Sequence, residues 1–185
     1  GEAQILGAVE SGLDAVILNP SGIVGPNDFK LSHMGEVLRD LATRRLPALV
    51  HGGYNFVDVN DVVQGALAAE EKGTAGRRYI LSGHYISVRG LAEIVEEITG
   101  VPRPRFTTPM WLARFGAPFV VGFSRLTNNR PKYTPASLKI LRGNGNMSHE
   151  RATEELSFLP RPLRETIAAA LAWQVEAGLV PPFEG

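Results

Sequence analysis

The chain contains no cysteine, which excludes a disulfide framework, a thiolate metal site and a cysteine nucleophile. It has no excess of charge either. Nineteen basic and nineteen acidic side chains leave a formal net charge of zero, so nothing in the balance marks a partner such as nucleic acid or an anionic membrane. No window approaches the roughly 18 consecutive apolar residues of a membrane span, and no basic start followed by an apolar stretch suggests a signal peptide. A soluble, cytoplasmic protein is the expectation. The histidines, His33, His51, His84 and His149, stand singly, with no His-x-x-x-His spacing, and no metal site is expected. Also missing are a Gly-x-Ser-x-Gly elbow, a phosphate loop ending in Gly-Lys-Ser or Gly-Lys-Thr, and the Gly-x-Gly-x-x-Gly dinucleotide fingerprint. The paired carboxylates Glu70-Glu71, Glu96-Glu97 and Glu154-Glu155 fall on polar helix faces, where solvated charge accounts for them.

What is present is an alternation of helix and strand. The 185 residues, 44% of them hydrophobic, suffice for one full domain core. The stretch Ala15-Val16-Ile17-Leu18-Asn19-Pro20-Ser21-Gly22-Ile23-Val24-Gly25-Pro26-Asn27-Asp28 reads as a short buried strand that delivers a loop. In open α/β sheets ligands bind where strands release their carboxyl ends into such loops. Pro20 fixes its own φ, and Gly22 and Gly25 leave room for close approach to the backbone. This loop is the first candidate site, although an ordinary strand exit uses the same residue types.

Upstream of it, Ile5, Ala8 and Val9 share one helical face, and Gly12 stands where that helix would stop. The start lacks an N-cap, which suggests a chain that begins in mid-element. Ser32 is expected to cap a helix running to about Arg45, with Met34, Val37, Leu38 and Leu41 inward. Ala48-Leu49-Val50 and Asn55 to Val59 read as two short strands around a Gly52-Gly53 turn. Asn60 or Asp61 should cap a helix through Lys72, Arg78 to Ser82 should be a strand, and Ser87 should open a helix ending at Gly100. Beyond it, an apolar helix is expected from about Met110 to Phe123 and another from Thr134 to Arg142. Ser148 should cap a short helix ending near Leu156, and Pro162 should stand first in the last helix. The alternation indicates an α/β layer architecture with much parallel pairing.

The order of segments resembles the C-terminal half of the extended short-chain dehydrogenase/reductase family, the NAD-dependent epimerases and dehydratases. Three stretches carry the resemblance: Gly12 to Pro20 running into Val24-Gly25-Pro26, then Phe56-Val57-Asp58-Val59-Asn60-Asp61-Val62, then Gly76 to Gly83. A fourth, Ala152 to Leu163, is similar to the family's signal before its terminal helix. The dihydroflavonol-reductase-like branch is the nearest in flavour. The resemblance implies a Rossmann-like doubly wound α/β fold, with residues 1–185 as its substrate-side portion and the dinucleotide-binding half elsewhere.

That family's chemistry rests on a Tyr-x-x-x-Lys pair, in which the tyrosine is the general acid/base, and on a nicotinamide cofactor. Tyr54, Tyr79, Tyr85 and Tyr133 are followed four residues later by Asp58, Gly83, Arg89 and Ser137, so no catalytic residue is assigned within this chain. The resemblance implies NAD or NADP as cofactor in the intact protein. It places Pro20, Ser21 and Gly22 at the nicotinamide end and Ile23, Asn27 and Phe29 nearer the substrate. Many nucleotide-sugar members carry an arginine shortly before the Phe-Val-Asp-like strand, where its fork grips a pyrophosphate. Tyr54 stands there instead, as a further substrate-side position, and Arg125 or Arg130 could supply the charge from elsewhere. The implied function is a substrate-binding half of an NAD(P)-dependent reductase or epimerase, inactive alone, acting on a carbonyl or hydroxyl carbon of a small molecule. Two alternatives stay open: a nucleotide-sugar epimerase or dehydratase portion, and a non-catalytic module that kept the family core. A homodimer or self-association of the chain is expected from an uncovered apolar strand, Ala15 to Leu18.

Overall fold

The computed structural model describes residues 1–108 and 147–183. In chain order the described elements are α1 (Glu2–Glu10), β1 (Ile17–Pro20), β2 (Gly22–Val24), α2 (His33–Ala42), β3 (Leu49–Val50), β4 (Gly53–Asp58) and α3 (Val59–Lys72). They continue with β5 (Arg78–Leu81), β6 (His84–Ser87), α4 (Val88–Thr99), β7 (Thr107–Thr108), α5 (Glu150–Leu156) and α6 (Leu163–Glu176). The helices expected at Met110 to Phe123 and Thr134 to Arg142, with Arg125 and Arg130, lie outside the described residues. The chain divides into two units, the first drawn from Gly1–Gly25, Asn55–His84 and Asn146–Thr166, the second from the remaining stretches.

Unit one is a parallel α/β arrangement. β1 pairs with β5, Ile17 facing Arg78 and Pro20 facing Leu81. β2 pairs in parallel with β4, Gly22 facing Phe56 and Val24 facing Asp58. Proline has no N–H to give to a ladder, and Pro20 stands at the end of its strand, where the loss is small. The core joins Val57, Tyr79 and Leu81 of the strands to Ala69 of α3, Ala152 and Leu156 of α5, and Phe158. Gly65 permits this closeness, since a Cβ there would sit 3.0 Å from Leu81 and 3.2 Å from Phe158. Tyr79 is fully buried, and its hydroxyl is satisfied twice: it donates to Glu155 Oε2 at 2.7 Å and accepts the Thr74 N–H at 3.1 Å. A buried tyrosine without such partners would be costly.

Unit two is mainly helical. α2 packs on α4, and α4 packs on β3, which pairs in parallel with β7. Leu38, Leu41, Leu91, Val95, Ile167 and Leu171 are among its buried apolar side chains. Two of the three expected serine caps are present: Ser32 Oγ accepts the Gly35 N–H at 3.1 Å, and Ser87 Oγ accepts the Gly90 N–H at 3.0 Å. In unit one Ser148 stands one residue too early, since His149 is the N-cap of α5, and its hydroxyl accepts the Glu150 N–H at 3.2 Å instead. α4 ends, as expected, at a left-handed Gly100.

Further expectations are corrected. Gly22 to Val24, expected as part of the loop after the first strand, form the strand β2, because their backbone finds a parallel partner in β4. α2 stops at Ala42, short of Arg45, because Arg44 turns left-handed and the Arg45 N–H returns to the Asp40 carbonyl at 2.8 Å. α3 is capped by Asp58, whose carboxylate accepts the Asn60 N–H at 2.7 Å, which brings the helix start forward to Val59. The strands on either side of Gly52-Gly53 do not pair with each other: β3 pairs with β7, Gly53 itself opens β4, and β4 has β2 and β6 as its neighbours. Val16, Ile17 and Leu18, expected to be buried, are half-buried, and among the described residues β1 has β5 as its one strand neighbour. No helix of the described residues is long and apolar enough to cross a membrane.

Candidate functional site

The segment from Ile17 to Val24 changes partner at Ser21. Through Pro20 it runs beside β5, and the Ser21 N–H still donates to the Leu81 carbonyl at 3.1 Å. From Gly22 onward it runs beside β4. The exchange requires β4 to approach the end of β5 closely, and Gly83 is the residue that allows it. A Cβ on Gly83 would overlap the Phe56 carbonyl. In place of a side-chain contact, the Gly83 N–H donates to Oδ1 of the buried Asn55 at 3.1 Å. The carboxyl ends of β1 and β5 therefore open beside the Ser21-Gly22 backbone, the placement in which parallel α/β sheets bind ligands.

Around this junction Pro20 is exposed, Ser21 and Gly22 are half-buried, and Ile23 is 44% exposed. Ser21 Oγ is enclosed and has no hydrogen-bond partner among the described residues. An enclosed hydroxyl without a partner costs about 1–3 kcal/mol, so its presence here needs a reason other than stability. Ser82, fully buried at the end of β5, is satisfied: its hydroxyl donates to the Met147 carbonyl at 2.9 Å. His149 Nδ1 lies 3.1 Å from the same oxygen. With the serine proton already committed, that nitrogen must be the donor, which fixes the tautomer. His149 also meets Phe158 edge-on at 5.9 Å. The hydrogen bond and the ring contact hold His149 within unit one.

At the carboxyl end of β4 lies a charge cluster that local sequence patterns did not reveal. Arg161 donates through its backbone N–H and its Nε to Asp61 at 2.8 and 2.9 Å, and its Nη2 lies 2.7 Å from Asp61 Oδ1. Asp58 Oδ2 is 3.7 Å from Arg161 Nε. The hydrogen bond that Arg161 donates to Asp61 raises the Arg161 pKa, with lesser help from the charges of Asp58, Asp61 and Glu165 and against some desolvation. A raised cation pKa favours the folded state below the ordinary arginine range and is lost only above it, so this contribution does not vary across physiological pH.

The remaining sequence-assigned positions fall in unit two. Asn27 is exposed with φ 65°, in a loop whose shape is set by Asp28. Both carboxylate oxygens of Asp28 accept the Ser32 N–H, at 2.9 and 2.8 Å. Phe29 projects from that loop, 83% exposed, with its ring 5.5 Å from Trp173 at 86°. Trp173 belongs to α6. Tyr54 is half-buried in β4. A separate cavity of about 340 Å³ in unit two is lined by Leu49, Arg89, Glu96 and Arg103 among others. Its cations are largely spoken for, since Arg103 is paired with Glu96 and, at 3.3 Å, with Glu93, which also holds Arg89 at 3.2 Å.

No protein-family model matches the chain. It is 35% identical over 178 residues to sterol demethylase protein B of Methylococcus capsulatus, covering 95% of the chain and 54% of that protein. It is 32% identical over 183 residues to a Synechocystis protein with a provisional dihydroflavonol 4-reductase name, covering 97% and 53% respectively. The chain thus spans about half the length of these relatives. Among solved structures, a nucleoside-diphosphate-sugar epimerase from Pseudomonas aeruginosa is 26% identical with a TM-score of 0.75, over 97% of the chain and 54% of that protein. More distant structures of the same fold, at 18 and 19% identity with TM-scores of 0.66 and 0.64, were solved with NAD+ and with NADPH. The chain belongs to the extended short-chain dehydrogenase/reductase family and matches about half of its members' length, as a C-terminal portion of that fold.

Proposed function

We propose that the chain is the substrate-side portion of an NAD(P)-dependent reductase or epimerase that acts on a carbonyl or hydroxyl carbon of a small molecule. The observation that carries this reading is the change of partner at Ser21, which leaves Pro20, Ser21 and Gly22 at the open ends of two parallel strands. The segment suits a nicotinamide: Gly22 presents bare backbone, and the enclosed Ser21 hydroxyl lacks a partner among the described residues. The nicotinamide would give or take a hydride at the reacting carbon. The chain's own part is to hold that carbon in line, and alignment of this kind is a large share of catalytic power. Ile23, Asn27, Phe29 and Tyr54 are the substrate-side positions on the family's pattern.

The sequence holds no Tyr-x-x-x-Lys pair and no glycine-rich fingerprint, so in this reading acid/base chemistry and most dinucleotide affinity come from outside these residues. The 185 residues alone are therefore inactive, and the half-buried β1 with Ile80 exposed on the neighbouring strand favours self-association. Similarity to a nucleoside-diphosphate-sugar epimerase favours a second reading, in which the substrate is a nucleotide sugar. Tyr54 in place of a pyrophosphate-gripping arginine speaks for a substrate without that group.

The test is calorimetry with NAD and NADP on the native full-length protein and on the 185 residues alone, with Ser21→Trp made in the former. Binding by the native protein, none by the 185 residues, and a turnover loss of about 100-fold in Ser21→Trp with normal melting are expected. Unchanged kinetics in that variant would remove the loop from the site. Added nucleotide diphosphate that competes with substrate would favour the second reading.

A further inference from the structure

The charge cluster at the carboxyl end of β4 is more elaborate than loop docking requires. The loop that carries Arg161 is already anchored by apolar burial of Phe158 and Leu163 and by the Thr153 hydroxyl, which donates to the Phe158 carbonyl at 2.9 Å. Arg161 is nevertheless held on three sides. Its N–H and guanidinium engage Asp61, and its carbonyl accepts His84 Nε2–H at 3.0 Å. The side chains of Asp58 and Asp61 are 0% and 9% exposed, a poor setting for two like charges unless a cation is present.

What lies between those aspartates gives the cluster its consequence. Val59 opens α3, and it is the residue on which the end of β2 rests. A Cβ on Gly25 would come within 2.6 Å of Val59 Cγ1. β2 is in turn registered on β4 by the pairs Val24 with Asp58 and Gly22 with Phe56. The start of α3 thus bears on β2 through the ladder at Asp58 and through the contact at Gly25.

We infer that Arg161 is a positioning residue for the Ser21-Gly22 backbone. By balancing Asp58 and Asp61 it fixes the first turn of α3, and that turn fixes where β2 begins. This rests on the reading of Ser21-Gly22 as the nicotinamide-side segment.

The test uses the native full-length protein with Arg161→Gln, Arg161→Lys and the double variant Arg161→Gln/Asp61→Asn. Amide exchange is followed in Gly22–Val24, with β5 and α5 as internal references, together with the fluorescence of bound NADH and NADPH. In Arg161→Gln, exchange in Gly22–Val24 is expected to quicken by about tenfold or more while β5 and α5 keep their rates. The emission of bound reduced nicotinamide should shift, with its dissociation constant changed by less than about threefold. Arg161→Lys should restore part of both. Unchanged exchange in β2, or an equal rise in β5 and α5, would overturn the inference. Should Arg161→Gln fail to fold, the double variant, which lacks both charges, is expected to fold with the same quickened β2, and a protected β2 there would overturn it equally. A protein that binds neither dinucleotide but shows the β2 response loses the functional reading and keeps the clamp. One that binds and shows no β2 response keeps the reading and loses the clamp.

Discussion

The two units are fixed by different kinds of contact. In unit one the decisive contacts are polar and reach far along the chain: Tyr79 to Glu155, Asn55 to Gly83, Arg161 to Asp61. In unit two the starts of α2 and α4 are fixed by serine caps within the same few residues and the buried side chains are mostly aliphatic, with one long-range polar contact, Gln174 Nε2 donating to the Gly35 carbonyl at 3.0 Å. Aliphatic packing is non-directional and tolerates small shifts, whereas hydrogen-bonded buried groups fix position. A backbone that must present itself at the ends of two strands needs the second kind. The partner change at Ser21 has it, through Leu81, Gly83 and Asn55.

If this contrast is right, the largest effect comes from Gly83→Ala in unit one. The added methyl meets a backbone carbonyl, which cannot swing aside, and overpacking of this sort costs about 3 kcal/mol. Urea unfolding of the native protein checks it. A loss below about 1 kcal/mol would mean that β4 and the end of β5 are less tightly joined than described.

A smaller effect is expected from Asp28→Ala in unit two. The carboxylate is half-exposed, and its bonds to the Ser32 N–H shape a loop with positive φ at Asn27 and Leu31. A loss of about 1 kcal/mol is expected, since water replaces part of what is removed. A larger loss would show that unit two also depends on directional contacts.

The smallest belongs to Phe29→Ala. An 83% exposed ring with one edge contact contributes little to folding, within about 0.5 kcal/mol. Turnover should fall nonetheless if Phe29 is a substrate-side position. A change in melting without a change in kinetics would reverse its assignment from function to packing.

Much was legible from local pattern. The caps Ser32 and Ser87, the stop at Gly100 and a strand from Arg78 to Ser82, which ends at Leu81 in the structure, are legible from neighbouring residues, because a cap or a periodicity is a short-range property of the chain. The end of the first strand at Pro20 was also legible, but Gly22 to Val24, which read as loop, form β2. Some failures were local, as at the end of α2, and in others a distant partner competed. Asn60 and Asp61 both stand where a cap is expected, yet Asp58 caps the helix, and Arg161, 100 residues from Asp61, engages the Asp61 carboxylate. β3 was set beside β4 by a Gly-Gly turn, while its ladder partner is β7.

The amino-acid sequence by itself determined the described helices and their order, the strands β1 and β5, the caps Ser32 and Ser87, and the family. The tertiary structure alone decided which strand each strand meets, that Ser21 stands where one partner is exchanged for another, and that Arg161 closes on Asp58 and Asp61. The physical reason is that propensity and capping act within a turn of the chain, whereas strand pairing and ion pairing are settled by whichever group folding brings within reach.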